Sequence, residues 1–262
     1  MDSYFERIDA TRFRPTVDAG GAWKDGEIHF SPLGGLIVHA IDLHRAARDA
    51  APLSLARVSF DILGFLAADV CDITVETIRP GRTIELVEAT VVIAGRAAVL
   101  ARAWYTIDGD TSEVAGGHPD RIALPGPDRR WPMTETWPGG YVESVETRAA
   151  EDPRPGRATA WLRTDRVIVA GEEATSHAAF IALVDTANGI AVRRPPTEWM
   201  FPNLDLTIHL FAQPTGEWVG LDTTVTFGST GRGLTSTTLH DVTGPVGRAE
   251  QILTVRPLPV RG

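Results

Sequence analysis

The sequence predicts an α+β fold made of two similar β-rich halves, each a curved antiparallel sheet wrapped around one apolar helix. Three observations predict it. A segment of helical period followed by strand-like runs occurs twice, and a Gly/Pro-rich stretch without periodicity lies between the two occurrences. The chain has 262 residues and is 43% hydrophobic, enough for two cores of ordinary domain size or one large one.

In the first half, Gly34 to Ala51 carries Leu36, Ile37, Ala40, Ile41, Leu43, His44 and Ala47 at i, i+3, i+4, i+7 spacing, with Pro52 after it, which reads as one helix. Arg57 to Leu63, Cys71 to Arg79, Thr83 to Ala94 and Ala97 to Ile107 are rich in Val, Ile and Thr. Turn signals at Pro80-Gly81 and Ala94-Gly95 make them an antiparallel meander. Gly116 to Gly140 loses all period and reads as a connector, and Trp104, Trp131 and Trp137 in the wider region predict that it packs on the body. The order then returns: strands at Tyr141 to Ala149 and Gly156 to Thr164, an apolar helix from Thr175 to Ile190, and strands at Leu204 to Phe211, Trp218 to Phe227, Gly233 to Asp241 and Val246 to Arg256. The boundaries that follow are 1–115, 116–140 and 141–262, with a single irregular α+β domain as the alternative organisation.

Composition narrows the function classes. Met1 to Asp18 lack the basic start and apolar run of a signal peptide, and the longest apolar stretches fall far short of the roughly 20 residues needed to span a bilayer. A chain without membrane insertion is expected. One cysteine, Cys71, permits no internal disulfide and no thiolate metal cluster, which suits a reducing cytoplasm. A net charge of -9 argues against a nucleic-acid partner, whose phosphates require a basic surface. No cofactor or metal is expected: His29, His39, His44, His118, His177 and His240 show no metal-ligand spacing. Gly228 to Gly233 looks phosphate-like but joins two strands without a P-loop's helix, and no Gly-x-Ser-x-Gly elbow appears.

Strand alternation sorts the remaining polar residues by face. Asp205, Thr207 and His209 share one side of their strand, either a functional face or a solvated outer one. Asp222, Thr224 and Thr226 share one face of the next strand, and Gln251 stands among small and apolar neighbours on the last. An amide in such surroundings needs a partner. A carboxylate, a hydroxyl and an amide on neighbouring strands can together hold one water, the carboxylate taking its proton. Asp205 would then need burial to lift its pKa above the ordinary ~3.9.

Short blocks in fixed order resemble the TesB-like acyl-CoA thioesterases, which fuse two hotdog domains in one chain. They are Gly34-Gly35-Leu36, Ser59-Phe60-Asp61 and Arg79-Pro80-Gly81-Arg82 in the first half. In the second they are Asp185-Thr186-Ala187-Asn188-Gly189, Leu204-Asp205-Leu206-Thr207, Arg232-Gly233-Leu234 and Gly247-Arg248-Ala249-Glu250-Gln251. The resemblance implies a double hotdog, acyl-CoA substrates, a cytoplasmic homo-oligomer, and a water held by Asp205, Thr226 (or Thr224, two residues away on the same face) and Gln251. For a hydrolase of acyl-CoA, substrate contacts are expected at Gly34 and Gly35, with Arg79, Arg82 or Arg232 as charge-assisted donors to the CoA phosphates. Leu33 before the paired glycines and Ile62-Leu63-Gly64-Phe65 after Asp61 depart from the family pattern and bear on the acyl or pantetheine pocket. They motivate the alternative of a non-catalytic acyl-CoA or lipid binder. A hotdog dehydratase is the third reading, and it lacks the paired Asp and His that reaction uses.

Overall fold

The computed structural model describes residues 2–258. Strands β1 (Ser3–Arg7) and β2 (Arg12–Pro15) precede helix α1 (Phe30–Ala47). Strands β3 (Ser54–Ile62), β4 (Cys71–Arg79), β5 (Ile84–Ile93) and β6 (Arg96–Thr106) follow. After the connector, α2 (Gly140–Ser144), β7 (Val145–Ala149), β8 (Arg157–Thr164) and β9 (Val167–Val169) lead to α3 (Ser176–Val184) and α4 (Ala187–Ile190). The chain ends through β10 (Trp199–Met200), β11 (Asp205–Leu210), β12 (Val219–Phe227), β13 (Arg232–Asp241), β14 (Gly244–Thr254) and β15 (Arg256–Pro257).

One 13-stranded sheet contains both halves, in the order β7-β8-β12-β13-β14-β11-β3-β6-β5-β4-β2-β1-β9. Only β4-β5-β6 and β12-β13-β14 form the meanders expected from the turn residues; the first strand of each predicted set pairs instead with the last, β3 with β6 and β11 with β14, because a long connection separates it from the next strand. β11 and β3 pair antiparallel at the middle, with Thr207 opposite Ser59. Only Asp165 and Arg166 separate β8 from β9, yet β9 lies at the far edge, parallel to β1. So short a link cannot span an open sheet of this width, so the sheet must curl until its ends approach.

Helices α1 and α3 fill the curl side by side and antiparallel. Ser31 Oγ meets Thr186 Oγ1 at 3.4 Å at one end, and Thr175 Oγ1 donates to Asp42 Oδ2 at 2.7 Å at the other. Gly35 permits the close crossing, since a Cβ there would stand 2.6 Å from Ala182 Cβ. Leu33, Leu36 and Ile37 of α1 and Ile181 to Val184 of α3 belong to one apolar core shared by both halves of the chain.

Three boundaries differ from the sequence reading. α1 starts at Phe30, about a turn before Gly34: His29 Nδ1 caps it by accepting Ser31 N–H at 3.1 Å, and Pro32 falls in the first turn, where a missing N–H costs nothing. The second helix breaks at Asp185 instead of running unbroken to Ile190. Tyr141 to Ser144 are helical, and the strand begins only at Val145. The connector packs on the sheet: Trp131 N–H donates to Thr147 O at 2.9 Å, Trp161 Nε1 to Ala123 O at 2.6 Å, and Met133 and Trp137 are buried. Among the described residues, no helix is long and apolar enough to cross a membrane.

Candidate active site

From Ala178 to Val184, α3 is apolar and almost wholly buried, and the next residue is a carboxylate, Asp185, only 7% exposed. Two physical terms oppose its charge, namely burial and the negative end of the helix that precedes it. Two side-chain amides answer them. Asn203, just before β11, and Gln251, on β14, each donate an Nδ2–H or Nε2–H to Asp185 Oδ1 at 2.8 Å. Burial wins over these bonds and pushes the Asp185 pKa up to about 6.

Asp185 Oδ2 lies 3.9 Å from His29 Nδ1, beyond hydrogen-bond range. That nitrogen accepts the Ser31 N–H, so in the neutral ring the proton sits on Nε2. Burial holds His29 neutral, its pKa depressed to about 3. Its ring stacks on Tyr141 with centroids 4.1 Å apart, and the Tyr141 hydroxyl meets Thr186 Oγ1 at 2.6 Å. The start of α1 and the end of α3 are thereby locked together around one carboxylate oxygen. Gln251 Oε1 is buried without a hydrogen-bond partner among the described residues, an acceptor suited to a water's O–H.

A cavity of about 340 Å³ reaches this carboxylate. Its walls are mainly apolar, with Phe30, Ile62, Phe65 and Met200 among them, and its basic residues are Lys24 and Arg256, both exposed. A chamber of about 40 Å³ adjoins it and shares Trp23, His29, Asp185 and Asn203 with it. A buried carboxylate with one oxygen pinned by two amides, a raised pKa and a second oxygen toward a cavity is equipped for general-base chemistry.

The residues expected from the sequence fall elsewhere, with the exception of Gln251. Thr207 pairs with Glu250, so Asp205 shares the face of Glu250 and Ile252, whereas Gln251 points to the other, helix-facing side. Thr226 pairs with Leu234 and Leu234 with Ile252, which puts Thr226 on the outer face with Asp205. Thr224 is exposed there too. Asp205, Thr226 and Gln251 therefore do not converge; the solvated-face reading of Asp205, Thr207 and His209 holds instead. Asp205 accepts the Ile252 N–H at 2.6 Å, and its pKa is raised by partial burial and by Asp61 opposite it. Gly34 and Gly35 lie inside α1 against Ile181 and Ala182 and do not line the cavity. Arg79 donates to Ile84 O at 2.8 Å and Arg232 to Thr230 Oγ1 at 3.0 Å; these two and Arg82 are exposed and lie outside the cavity lining.

The sequence reading missed Asp185, Asn203 and His29. Asp185 did leave a signal: a lone acidic residue closing a helix that is apolar all round must be buried, and a buried acid is a functional candidate.

Residues 20–106 match the family described as acyl-CoA thioesterase N-terminal domain, and residues 119–255 match the acyl-CoA thioesterase C-terminal domain. No curated protein matches the chain. Among solved structures, a hot dog fold protein from Alicyclobacillus acidocaldarius is 14% identical with TM-score 0.76, covering 99% of this chain and 98% of that one. An acyl-CoA thioesterase II, TesB2, from Mycobacterium marinum is 17% identical with TM-score 0.63, covering 97% and 96%. The tesB protein of Mycobacterium avium subs paratuberculosis is 17% identical with TM-score 0.66, covering 97% and 96%. At such identities the structural likeness concerns the fold. The two domain matches, which between them take in most of the sequence, carry the conclusion that this chain belongs to the acyl-CoA thioesterase family and is a thioesterase.

Proposed function

We propose that the chain hydrolyses acyl-CoA thioesters with Asp185, not Asp205, as general base. The observation that carries this reading is the buried Asp185 carboxylate, pinned at Oδ1 by Asn203 and Gln251 and lifted to a pKa of about 6. Oδ2 takes a proton from a water, whose oxygen attacks the thioester carbonyl carbon. The tetrahedral oxyanion gains from the positive end of α1, whose first turn begins beside His29. When the C–S bond breaks, the sulfur leaves as thiolate and recovers the proton from Asp185, giving free CoA and the acid. Asn203 and Gln251 are positioning residues: they fix the carboxylate and spare it part of the cost of burial.

One such site per chain follows from a comparison of the halves. β4, β5 and β6 begin at Cys71, Ile84 and Arg96, and β12, β13 and β14 begin at Val219, Arg232 and Gly244, the same interval later each time. At that interval, Ala103 answers to Gln251 and Leu55 to Asn203, so the first half has no amides to hold a carboxylate. The constant interval supports a double hotdog, divided as 1–115, 116–140 and 141–262. A cytoplasmic setting and a homo-oligomer belong to the same reading.

The test is CoA release from an acyl-CoA panel by wild type, Asp185→Asn and Asp205→Asn. Loss of at least 100-fold in Asp185→Asn, with Asp205→Asn close to wild type, is expected. The reverse pattern would sink the assignment.

A further inference from the structure

A thioester at Asp185 must send its two substituents in different directions, and the spaces available on the two sides are unequal. On one side is the cavity of about 340 Å³, whose lining includes the exposed Lys24 and Arg256 and the half-buried Glu27. On the other is the chamber of about 40 Å³. A pantetheine arm ending in phosphates cannot enter the chamber, so it takes the open cavity, where its anionic end meets the two basic residues. The acyl group is left with the chamber. A chamber roughly an eighth the size of the open cavity admits a short acyl group and not a long extended chain.

The far wall of that chamber comes from the connector. Met133 and Trp137, 7% and 5% exposed, close over Gly189 in α4. A Cβ on Gly189 would lie 3.5 Å from Trp137 Nε1 and 3.6 Å from Met133 Cε. Trp137 is fixed, its Nε1–H donating to Gly189 O at 2.9 Å and its ring set edge-on to Trp23. Met133 makes no such bond among the described residues and has a flexible side chain. Behind both lies an open groove of about 210 Å³, which Met133, Trp137 and Gly189 also line, together with Trp131, Ile190, Thr136 and Arg154.

We propose that Met133 and Trp137 restrict this thioesterase to short acyl groups, with Met133 as the plug between the acyl chamber and the open groove behind it. The inference rests on Asp185 marking the thioester position. It assigns to the connector a role in specificity.

The test measures binding as well as turnover, so that it does not depend on catalysis. Kd values are determined for two non-hydrolysable thioethers, S-ethyl-CoA and S-octyl-CoA, with wild type, Met133→Ala and the milder Met133→Val, which keeps apolar packing should alanine fail to fold. CoA release from acetyl-, propionyl- and octanoyl-CoA is measured in parallel. Wild type is expected to bind S-octyl-CoA no more tightly than S-ethyl-CoA and to favour the short substrates. Met133→Ala should tighten S-octyl-CoA at least tenfold with S-ethyl-CoA changed less than threefold, and Met133→Val should move the same way by a smaller factor. Tenfold tighter octyl binding by wild type, or an unchanged ratio in both variants, would overturn the plug while leaving the hydrolase reading intact. Binding of neither thioether with no CoA release would overturn the acyl-CoA reading and the plug together.

Discussion

Asp185 ties the acid chemistry of the site to the stability of the fold. Its pKa rises from 3.8 to about 6 in the folded protein, so the native state holds a proton that the unfolded chain has lost across that window. Stability from this group is full below pH 4 and is lost as pH rises through 6, a penalty at neutral pH of about 3 kcal/mol. Asp185→Asn, which keeps the shape and can still accept both amides, should therefore raise the melting temperature at pH 7 and lose that advantage below pH 4. Activity has the opposite dependence: kcat/KM should climb about tenfold per pH unit up to 6 and level above it, since only the ionised base works. A profile flat from pH 4.5 to 7 would contradict Asp185 as base. Alternation along a strand separates two faces but does not say which is inside, and for that reason the sequence could bring forward Asp205 as readily as Gln251. Asp185 and Asn203 meet only because α3 ends beside β14, a tertiary fact invisible to periodicity.

At the level of elements, the crossing of α1 over α3 is set by Gly35. An added Cβ would stand 2.6 Å from Ala182 Cβ and 3.0 Å from the Ala178 carbonyl oxygen, part of the helix backbone and unable to rotate away. Gly35→Ala would gain up to about 1 kcal/mol in helix propensity and lose about 1–3 kcal/mol to overpacking. Net destabilisation is the expected result, read as a lower denaturation midpoint, and adding Ala182→Gly should restore part of it. The helix itself was legible from its apolar spacing. Its first turn was not, because Phe30, Ser31 and Pro32 look like a loop until His29 is seen to cap them. Gly34 and Gly35, given to the substrate by resemblance, lie one turn into the helix and face its partner instead.

The whole molecule is governed by the pairing of β3 with β11, which makes one sheet of two meanders. With that ladder and a shared core, the halves should melt together. Calorimetry is expected to give a single transition whose van't Hoff and calorimetric enthalpies agree, and two resolved peaks would show the halves to be independent. Turn residues made the three hairpin-linked strands of each half readable, but not the return of β3 to the side of β6 or of β11 to the side of β14. The seam was not readable either, since strands so far apart in the chain carry no mutual signal. The parallel pairing of β1 with β9 adds a second stitch, at the opposite end of the sheet from the middle seam. Gly109 to His118 lie exposed between the halves, so a protease cutting there would sever the covalent tether and spare both stitches. The piece ending near residue 116 would carry His29 and the start of α1, and the other would carry Asp185, Asn203, Gln251 and the Met133 wall. Neither piece holds a complete site, so the protein is built as a natural split reporter: two separately made fragments would regain thioester hydrolysis only on finding each other.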